Sequence, residues 1–410
     1  MLKINVPKNV KLIINILEKN GYEAYAVGGC VRDAILLKEP NDWDITTSAM
    51  PEDVKNIFNK TIDTGIKHGT VTVLIERTGY EVTTYRIDGE YEDGRHPKSV
   101  EFTSNLIEDL KRRDFTINAM AYSDKKGIVD AFDGIGDLER KVIKCVGNPE
   151  DRFNEDALRI LRAVRFSAVL DFDIEENTKK AIIKLAENLN KISKERIQVE
   201  LEKLLMSNHP EKLKTAYETG ITKVILDEVD KINSLGKLDE TLNLIRKMPV
   251  NHYLRWSALL NHCDKSTVAN ILRGLKFDNK TINIVSRIVD ATNNELPHDR
   301  AGVRKLIYLI GEDIFREYIE FMEIYISYIH KENLEIQKLI TFVKNEYFDI
   351  LDKKECISLK MLAINGRDLI ELGAGRGAEV GEGLNMLLNK VLEDSSLNTK
   401  EKLIDIYKNR

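Results

Sequence analysis

Cysteine is scarce in this 410-residue sequence, and its four cysteines lie far apart. Because no Cys-x-x-Cys pair occurs, neither a structural zinc site nor a disulfide framework is indicated. Long apolar runs are missing as well, since no stretch approaches the roughly 20 residues that span a bilayer. The apolar run at residues 12–17 is too short for a signal peptide. These absences predict a cytoplasmic protein with reduced thiols and no membrane span.

An excess of positive charge is also absent. Lys and Arg number 62 against 67 Asp and Glu, which gives a formal net charge of −5 at pH 7. Nucleic-acid-binding domains usually carry a basic surface, so any such surface in this chain must be local. Hydrophobic residues make up 42% of the chain, and its length favours two to four domains.

Two patterns follow one another along the chain. Up to residue 147 helical and strand-like segments alternate, and beyond Gly147-Asn148-Pro149 helical periodicity dominates. The predicted strands lie at 22–27, 43–47, 70–76 and 80–86. The main predicted helices lie at 9–20, 106–122, 155–170, 175–188, 194–206, 280–292 and 304–345. The sequence therefore predicts an α+β fold, with a mixed N-terminal head followed by an all-helical remainder.

Acidic residues in the predicted head are the first candidates for catalysis. If 43–47 is a strand, Asp42 and Asp44 point to the same face, and their repulsion is costly without a cation between them. Mg²⁺ suits such a pair, because it takes one or two carboxylates and completes its shell with water and phosphates. Glu81, on the second arm of a predicted hairpin, can accept the proton of an attacking hydroxyl. The alternative is a set of solvated surface acids.

A pair of glycines precedes these acids by about ten residues. Gly28 and Gly29 follow a predicted strand and open a predicted helix, so the backbone there can approach a phosphate closely. Arg32 can contact phosphate oxygens through its planar guanidinium group. The alternative is an ordinary turn, but a phosphate cradle just before a carboxylate pair is a rarer combination.

A third group has the chemistry to read a base. On the predicted helix at 155–170, Asp156 and Arg159 are neighbours three residues apart. One acceptor beside one donor can pair with cytosine or adenine, whereas guanine and uracil would leave the carboxylate facing a carbonyl. The alternative is a surface ion pair. Similarly, Arg113 can serve phosphates and Asp114 a ribose hydroxyl, unless they form a structural pair in the predicted helix at 106–122.

The order of these motifs resembles that of the class II CCA-adding tRNA nucleotidyltransferases, a family that includes bacterial poly(A) polymerases. The matching motifs cover residues 22–170. They are the segment from Gly28 to Asp44, residues 112–119, the set Asp130, Gly134, Asp137 and Leu138, and the set Glu155, Asp156, Arg159 and Arg162. A weaker resemblance continues at 192–196 and 365–369.

The resemblance implies a head of the DNA-polymerase-β type with a mixed β-sheet at 1–147. A neck at 148–208, a body at 209–345 and a tRNA-binding tail at 346–410 would follow, all of them helical. It implies that Asp42 and Asp44 hold Mg²⁺, and that Asp156 and Arg159 read CTP and ATP. The remaining nucleotide-binding residues that it implies are Gly28, Gly29, Arg32, Arg113, Asp114, Asn118 and Arg162. The partners are then tRNA and nucleoside triphosphates, with no DNA and no membrane, for a monomer or homodimer.

Two departures from the family pattern stand out. Residues 259–265 lack the adjacent His-Asp pair of the phosphohydrolase domains found in some relatives, so no such metal site is predicted. Asp133 and Ala131 occupy positions where glycine and proline are more usual in the family, which leaves the loop geometry there open.

The function predicted from these motifs is addition of C, C and A to tRNA. The alternatives are a poly(A) polymerase, a partial enzyme that adds only CC or only A, and an inactive RNA-binding protein on the same fold. The polar segment from Asp88 to Pro97 resembles the flexible loop of full CCA-adding enzymes. Within it, Asp93 or Arg95 is expected to contact the pocket when the loop closes for the addition of A.

Overall fold

The structure is a computed structural model that describes residues 3–89, 100–375 and 377–409. The chain divides into two compact units, Met1–Lys231 and Ile232–Arg410. All the strands found in the described residues belong to the first unit, and the second is helical. The predicted division into head, neck, body and tail stays a prediction.

The first unit is built on a mixed sheet of seven strands. Their order is β3-β4-β5-β2-β1-β8-β9, and β2 and β5 pair in parallel while the other neighbours are antiparallel. Two smaller pairs, β6–β7 and β10–β11, lie outside it. The strands are β1 (Ala24–Val27), β2 (Ile45–Thr47), β3 (Thr61–Gly65), β4 (Thr70–Ile75), β5 (Thr78–Thr84), β6 (Arg86–Asp88), β7 (Val100–Phe102), β8 (Met120–Ser123), β9 (Gly127–Asp130), β10 (Val142–Ile143) and β11 (Asp173–Ile174).

Helices cover both faces of this sheet. The amphipathic helix α1 buries Val10, Ile13 and Leu17 completely, and Leu110 of α4 shares a hydrophobic cluster with Val27 of β1. The helices of this unit are α1 (Lys8–Lys19), α2 (Gly29–Ile35), α3 (Pro51–Ile57), α4 (Leu106–Lys111), α5 (Gly134–Arg140), α6 (Pro149–Glu155), α7 (Leu158–Leu170), α8 (Glu176–Leu185), α9 (Lys194–Leu205), α10 (Leu213–Glu218) and α11 (Ile221–Ile225). Short 3₁₀ turns lie at Ile66–His68, Thr116–Asn118, Ala186–Lys191 and Pro210–Lys212.

The second unit is a succession of capped helices. The side chains of Asn251, Asp264, Asp278 and Asp299 accept hydrogen bonds from the first free backbone N–H groups of four of these helices. The helices are α12 (Glu228–Ser234), α13 (Leu238–Lys247), α14 (His252–Leu259), α15 (Lys265–Gly274), α16 (Asn279–Thr292), α17 (Arg300–Ile310), α18 (Glu312–Ile329), α19 (Leu334–Asp352), α20 (Gly366–Glu371), α21 (Ala378–Glu393) and α22 (Lys400–Lys408), with 3₁₀ turns at Leu359–Met361 and Ser395–Leu397.

The predicted helix at 106–122 is wrong beyond Lys111. The chain turns there, passes through the 3₁₀ turn Thr116–Asn118 and forms the buried strand β8. A short buried apolar run has no alternation, so its pattern does not separate a strand from a helix. Arg113 and Asp114 therefore lie on a connection and not inside a helix.

Two other predicted helices have different bounds. The segment at 155–170 is broken at Asp156, and α7 begins only at Leu158. The segment at 304–345 contains three helices, because Gly311 adopts a φ of 97° between α17 and α18 and a turn separates α18 from α19. Within the described part of the chain, no helix is both long and apolar enough to cross a membrane.

Candidate active site

Three carboxylates gather at one end of the central strands. Asp44 directly precedes β2 and Glu81 lies on β5, and the parallel register of these strands places the two residues side by side. Loss of hydration raises the pKa of Asp44; Arg113 opposes this and Asp42 adds to it. Loss of hydration also raises the pKa of Glu81, with further contributions from Asp44 and Asp42. Asp44 itself is exposed to solvent. Its hydration is therefore reduced by the protein that surrounds the site, although the site is open to solvent.

The predicted strand at 43–47 is shorter than expected, since β2 covers Ile45–Thr47. Asp42 and Asp44 therefore precede the strand instead of lying on it. Asp42 and Asp44 nevertheless both contribute to the raised pKa of Glu81, which lies beside Asp44 through the register of β2 and β5.

Gly28 lies against the guanidinium group of Arg113. Its φ of 84° and ψ of −133° suit glycine. A Cβ atom at this position would lie 2.8 Å from Nη1 of Arg113. At Gly29 a Cβ would be 3.6 Å from Nη2 of Arg32, an ordinary contact. The close approach at Gly28 leaves the cationic side chain of Arg113 directly beside the backbone turn and near Asp44.

Asp109 organises the arginines of this region from a fully buried position on α4. Its Oδ1 accepts from Nε of Arg112 at 2.9 Å and from the backbone N–H of Arg86 at 3.3 Å. Its Oδ2 accepts from the hydroxyl of Thr46 at 3.3 Å and lies 3.6 Å from Nη2 of Arg113. Burial lowers the pKa of Arg113, and the charge of Asp109 opposes that shift. One carboxylate thus links α4, β2 and β6.

Asp114 is a buried acceptor that joins two elements. Its Oδ2 accepts from Nε and Nη2 of Arg162 at 2.9 and 2.6 Å, and its Oδ1 accepts from the amide of Asn118 at 3.0 Å. Burial alone would raise the pKa of Asp114, but Arg162 and Asn118 hold it well below its usual range. Asp114 therefore remains ionised at any physiological pH.

Arg32 extends this network toward the glycine turn. Its Nη1 donates to Oδ1 of Asn118 at 2.6 Å, and its Nε donates to Oδ1 of Asp33 at 2.8 Å. Its guanidinium carbon lies 5.1 Å from the ring centroid of Phe166. The structure thus connects Arg32, Asn118, Asp114 and Arg162 through direct hydrogen bonds, although they come from three separate motifs.

Asp156 lies at the break between α6 and α7. Its Oδ1 accepts from the backbone N–H of Leu158 at 3.0 Å, and its Oδ2 accepts from Nη2 of Arg196 on α9 at 2.7 Å. Asp156 and Arg159 are therefore not neighbours on one helix, as the sequence had suggested. The turn between two helices holds them together, because the N–H of Arg159 donates to the carbonyl of Asp156 at 3.0 Å.

Arg159 is held by a separate set of acceptors. Its Nη1 donates to Oε2 of Glu155 at 2.6 Å, and its Nη2 donates to the carbonyl of Arg112 at 3.1 Å. Glu155 ends α6 while Arg159 lies on α7, so this ion pair joins the two helices. Glu155 also accepts from Arg152, so this carboxylate fixes the orientation of the arginine.

The third motif supports the turn that carries Asn118. Oδ1 of Asp130 accepts from the N–H of Gly134 at 2.8 Å, and a Cβ on Gly134 would lie 2.5 Å from the carbonyl oxygen of Thr116. Asp137 accepts from the hydroxyl of Thr116 at 2.7 Å. Asp133 has a φ of 63°, a left-handed conformation that favours glycine.

Some polar residues of this region were missed at the sequence level. Glu200 on α9 is buried and lies 2.6 Å from Nε of Arg165, whose guanidinium carbon is 3.8 Å from the ring centroid of Phe166. Burial lowers the pKa of Arg165 to about 10, against the charge of Glu200. Glu200 could have been recognised in the sequence, because it is a charged residue on the apolar face of the predicted helix at 194–206. Asp109 gave a similar signal on α4.

Only the first two residues of the predicted loop, Asp88 and Gly89, lie in the described part of the chain. Asp88 ends β6, whose backbone pairs with β7, while Asp93 and Arg95 lie outside the described residues. Across 3–89, 100–375 and 377–409, no three His, Cys, Asp or Glu side chains are close enough to form a complete protein-only metal site. Mg²⁺ does not require one, because water and phosphate oxygens supply most of its ligands.

Three family profiles match successive parts of the chain. The profile described as "Poly A polymerase head domain" matches residues 24–144, that described as "Probable RNA and SrmB-binding site of polymerase A" matches 171–233, and that described as "tRNA nucleotidyltransferase domain 2 putative" matches 249–407. The first of these includes the glycine turn, the three carboxylates, Asp114 and Asn118, while Arg162, the partner of Asp114, lies beyond it.

Full-length relatives and solved structures agree with these profiles. The CCA-adding enzyme of Ligilactobacillus salivarius (strain UCC118) is 40% identical over 99% of this chain and 98% of its own length. That of Limosilactobacillus reuteri (strain DSM 20016) is 40% identical over 96% and 94%. The crystal structure of the Bacillus stearothermophilus CCA-adding enzyme in complex with CTP has a TM-score of 0.78 and 32% identity over 98% of this chain and 96% of that one. The predicted α+β fold, a polymerase-β-type head with a mixed sheet followed by helices, is confirmed.

Proposed function

The chain belongs to the family of CCA-adding enzymes, and we propose that Asp42, Asp44 and Glu81 form its catalytic centre. As a CCA-adding enzyme it is a nucleotidyltransferase that extends the 3′ end of tRNA by C, C and A, with CTP and ATP as substrates and pyrophosphate as the second product. Relatives at 40% identity over nearly the whole chain support this function over the poly(A) polymerase alternative. The arrangement of Asp44 beside Glu81, with Arg113 close by, carries the assignment of the centre.

Mg²⁺ is the metal that we propose for Asp42 and Asp44. The raised pKa of Asp44 reflects lost hydration and the neighbouring charge of Asp42, and a cation between the two carboxylates relieves both. When bound, the metal supplies charge neutralisation at the phosphates and activation of the attacking hydroxyl. The raised pKa of Glu81 suits a group that accepts the proton of the tRNA 3′-hydroxyl at its carboxylate.

The nucleotide is bound on the side of β1 and α2. In our proposal Arg113, at the Gly28 turn, and Arg32 neutralise the triphosphate, and the buried acceptor Asp114 orients the ribose. Gly29 lets the turn approach the phosphates, Asn118 keeps Arg32 in place, and Arg162 holds Asp114. Because these groups already hydrogen-bond one another, the pocket is preorganised and loses little entropy when the nucleotide binds.

Base selection is assigned to Asp156 and Arg159. Arg196 fixes one carboxylate oxygen of Asp156, and Glu155 fixes one guanidinium nitrogen of Arg159. An acceptor and a donor held in this way match the amino group and ring nitrogen of cytosine and adenine. Asp93 and Arg95, in the segment from Asp88 to Pro97, are proposed to adjust the pocket between C and A.

The remaining assignments concern the helical parts and the cellular setting. We propose that residues 346–410 form a tRNA-binding tail, after a neck at 148–208 and a body at 209–345. The proposed partner is the acceptor end of tRNA, without a role for DNA. We propose a cytoplasmic location, because cysteines stay reduced in that compartment. The proposed oligomeric state is a monomer or a homodimer.

Substitution of the paired aspartates tests the catalytic centre. Asp42→Ala and Asp44→Ala are expected to abolish addition of both C and A, because one centre serves every step and a lost ligand removes several kcal/mol of transition-state stabilisation. Asp124→Ala is the matched control, since Asp124 is an exposed aspartate paired with Lys11. Near-normal C addition by either active-site variant would refute the assignment, and circular dichroism checks that the variants fold.

A further inference from the structure

A row of side chains crosses the sheet from the catalytic carboxylates to its edge. Glu81 on β5 lies beside Asp44, pairs with Thr72 on β4, and Thr72 pairs in turn with Ile62 on β3. Cross-strand partners share one face of a sheet. With neighbouring strands about 4.8 Å apart, the row extends roughly 10 Å beyond Glu81.

Threonine hydroxyls line this part of the sheet in two pairs. The hydroxyl oxygens of Thr64 and Thr72 are 2.8 Å apart, and those of Thr70 and Thr83 are 3.0 Å apart. Each hydroxyl offers one proton and two acceptor sites, so a pair that shares one proton keeps another for a ligand. We call these four residues the hydroxyl strip. Thr64 is exposed, and Thr70 and Thr83 are half-buried.

The hydroxyl strip is held in a defined geometry. The methyl group of Thr72 fills the space above Gly79, where a Cβ atom would lie 2.9 Å away, and its hydroxyl faces Thr64. Thr72 is only 9% exposed, so it positions the exposed hydroxyl of Thr64. Ile62, 49% exposed at the end of the row, adds an apolar contact surface.

We propose that the hydroxyl strip binds the 3′-terminal nucleotides of the RNA acceptor and recognises their ribose 2′-hydroxyl groups, an inference that rests on the proposed function. The proposed nucleotide-binding residues Gly28, Arg32 and Arg113 lie on the β1 side of Asp44. In-line attack on the α-phosphorus brings the acceptor hydroxyl from the side opposite the leaving pyrophosphate.

The chemistry of the surface matches this ligand. The hydroxyl strip begins next to Glu81, the proposed acceptor of the 3′-hydroxyl proton, and continues away from the nucleotide side through β4 to β3. Ribose 2′-hydroxyls are donors and acceptors that distinguish RNA from DNA, and paired threonines complement both functions. The apolar Ile62 suits the face of a ribose or base.

The test compares two acceptors that differ by one oxygen atom. A tRNA ending in CC is prepared with either cytidine or 2′-deoxycytidine at its 3′ end, both with a free 3′-hydroxyl, and kcat/KM for A addition is measured. One hydrogen bond favours the ribose acceptor by roughly 3- to 10-fold. Thr64→Val and Thr70→Val are expected to bring this ratio toward one, whereas Thr64→Ser and Thr70→Ser keep it.

Two comparisons make the outcome specific. Thr78→Val removes a threonine hydroxyl from the opposite face of β5 and is expected to leave the ratio as in the wild type. The preference for CTP over dCTP in C addition is also expected to be unchanged in the valine variants. A wild-type ratio of one, an unchanged ratio in both valine variants, or an altered CTP preference overturns the inference. If the wild type extends neither acceptor, the proposed function fails as well.

Discussion

The substitution Gly28→Ala adds a single methyl group, and its effect on stability can be measured separately from its effect on catalysis. Alanine at this position must adopt φ 84° and ψ −133°, a conformation that costs a non-glycine residue about 1–3 kcal/mol. Its Cβ would also lie 2.8 Å from Nη1 of Arg113. The end of an arginine side chain moves at little cost, so the steric conflict displaces Arg113 and does not unfold the protein.

The expected kinetic effect follows from the lost position of Arg113. Hydrogen bonds to charged groups contribute about 1.5–3 kcal/mol, so Gly28→Ala is expected to lower kcat/KM for both CTP and ATP by roughly 10- to 100-fold. Single-turnover addition to a tRNA lacking CCA measures the loss, and thermal melting measures the stability change separately.

Gly21 provides a matched control for backbone strain. It has a φ of 89°, and nothing lies within 4 Å of a Cβ added there. Gly21→Ala is expected to lower the melting temperature in the same way while leaving both kcat/KM values unchanged. If folded Gly28→Ala retains wild-type kcat/KM for CTP and ATP, the role of Arg113 at the glycine turn is refuted.

Three further predictions follow from the same region. Asp156→Ala is expected to admit UTP and GTP more readily relative to CTP, because the acceptor that rejects a carbonyl is lost; slower turnover with unchanged selectivity in misincorporation assays contradicts this. Asp44→Asn is expected to raise the melting temperature of the metal-free protein at pH 7.5. Because the pKa of Asp44 is raised in the folded state, the wild-type protein loses stability as the pH rises through that pKa. The gain from asparagine is therefore expected to disappear in acid, below the unfolded pKa of about 3.9. An equal gain at pH 7.5 and in acid refutes this prediction. Asp109→Ala is expected to cost about 3–5 kcal/mol of unfolding free energy, since it removes a fully buried carboxylate from two half-buried arginines, and denaturant melts in which it matches the control Asp63→Ala contradict this.

Residue types and order were enough to predict the main chemical groups of the site. The glycine turn, the Asp-x-Asp pair and the Arg113–Asp114 dipeptide each contain residue types that the stability of the fold alone does not explain. Their order along the chain also identified the fold class. The structure places these groups close together, through contacts such as that between Arg32 and Asn118, 86 residues apart.

The features that sequence reasoning missed depend on contacts between distant segments. The break at Asp156 is stabilised by Arg196, 40 residues later, and helical periodicity does not reveal such a partner. The segment that forms β8 was predicted as helix, because a short buried run without alternation fits a strand and a helix equally well. The hydroxyl strip, likewise, exists only through the pairing of β3, β4 and β5.

The central claim is that one centre, at Asp42, Asp44 and Glu81, completes the CCA end. The most direct measurement is to incubate the protein with Mg²⁺, CTP, ATP and a tRNA that ends at the discriminator base, and to sequence the 3′ ends of the products. The wild type is expected to give ends that stop at CCA, and Asp44→Ala is expected to leave the ends unextended. Long runs of A, products that stop at CC with ATP present, or CCA ends made by the Asp44→Ala variant would contradict it.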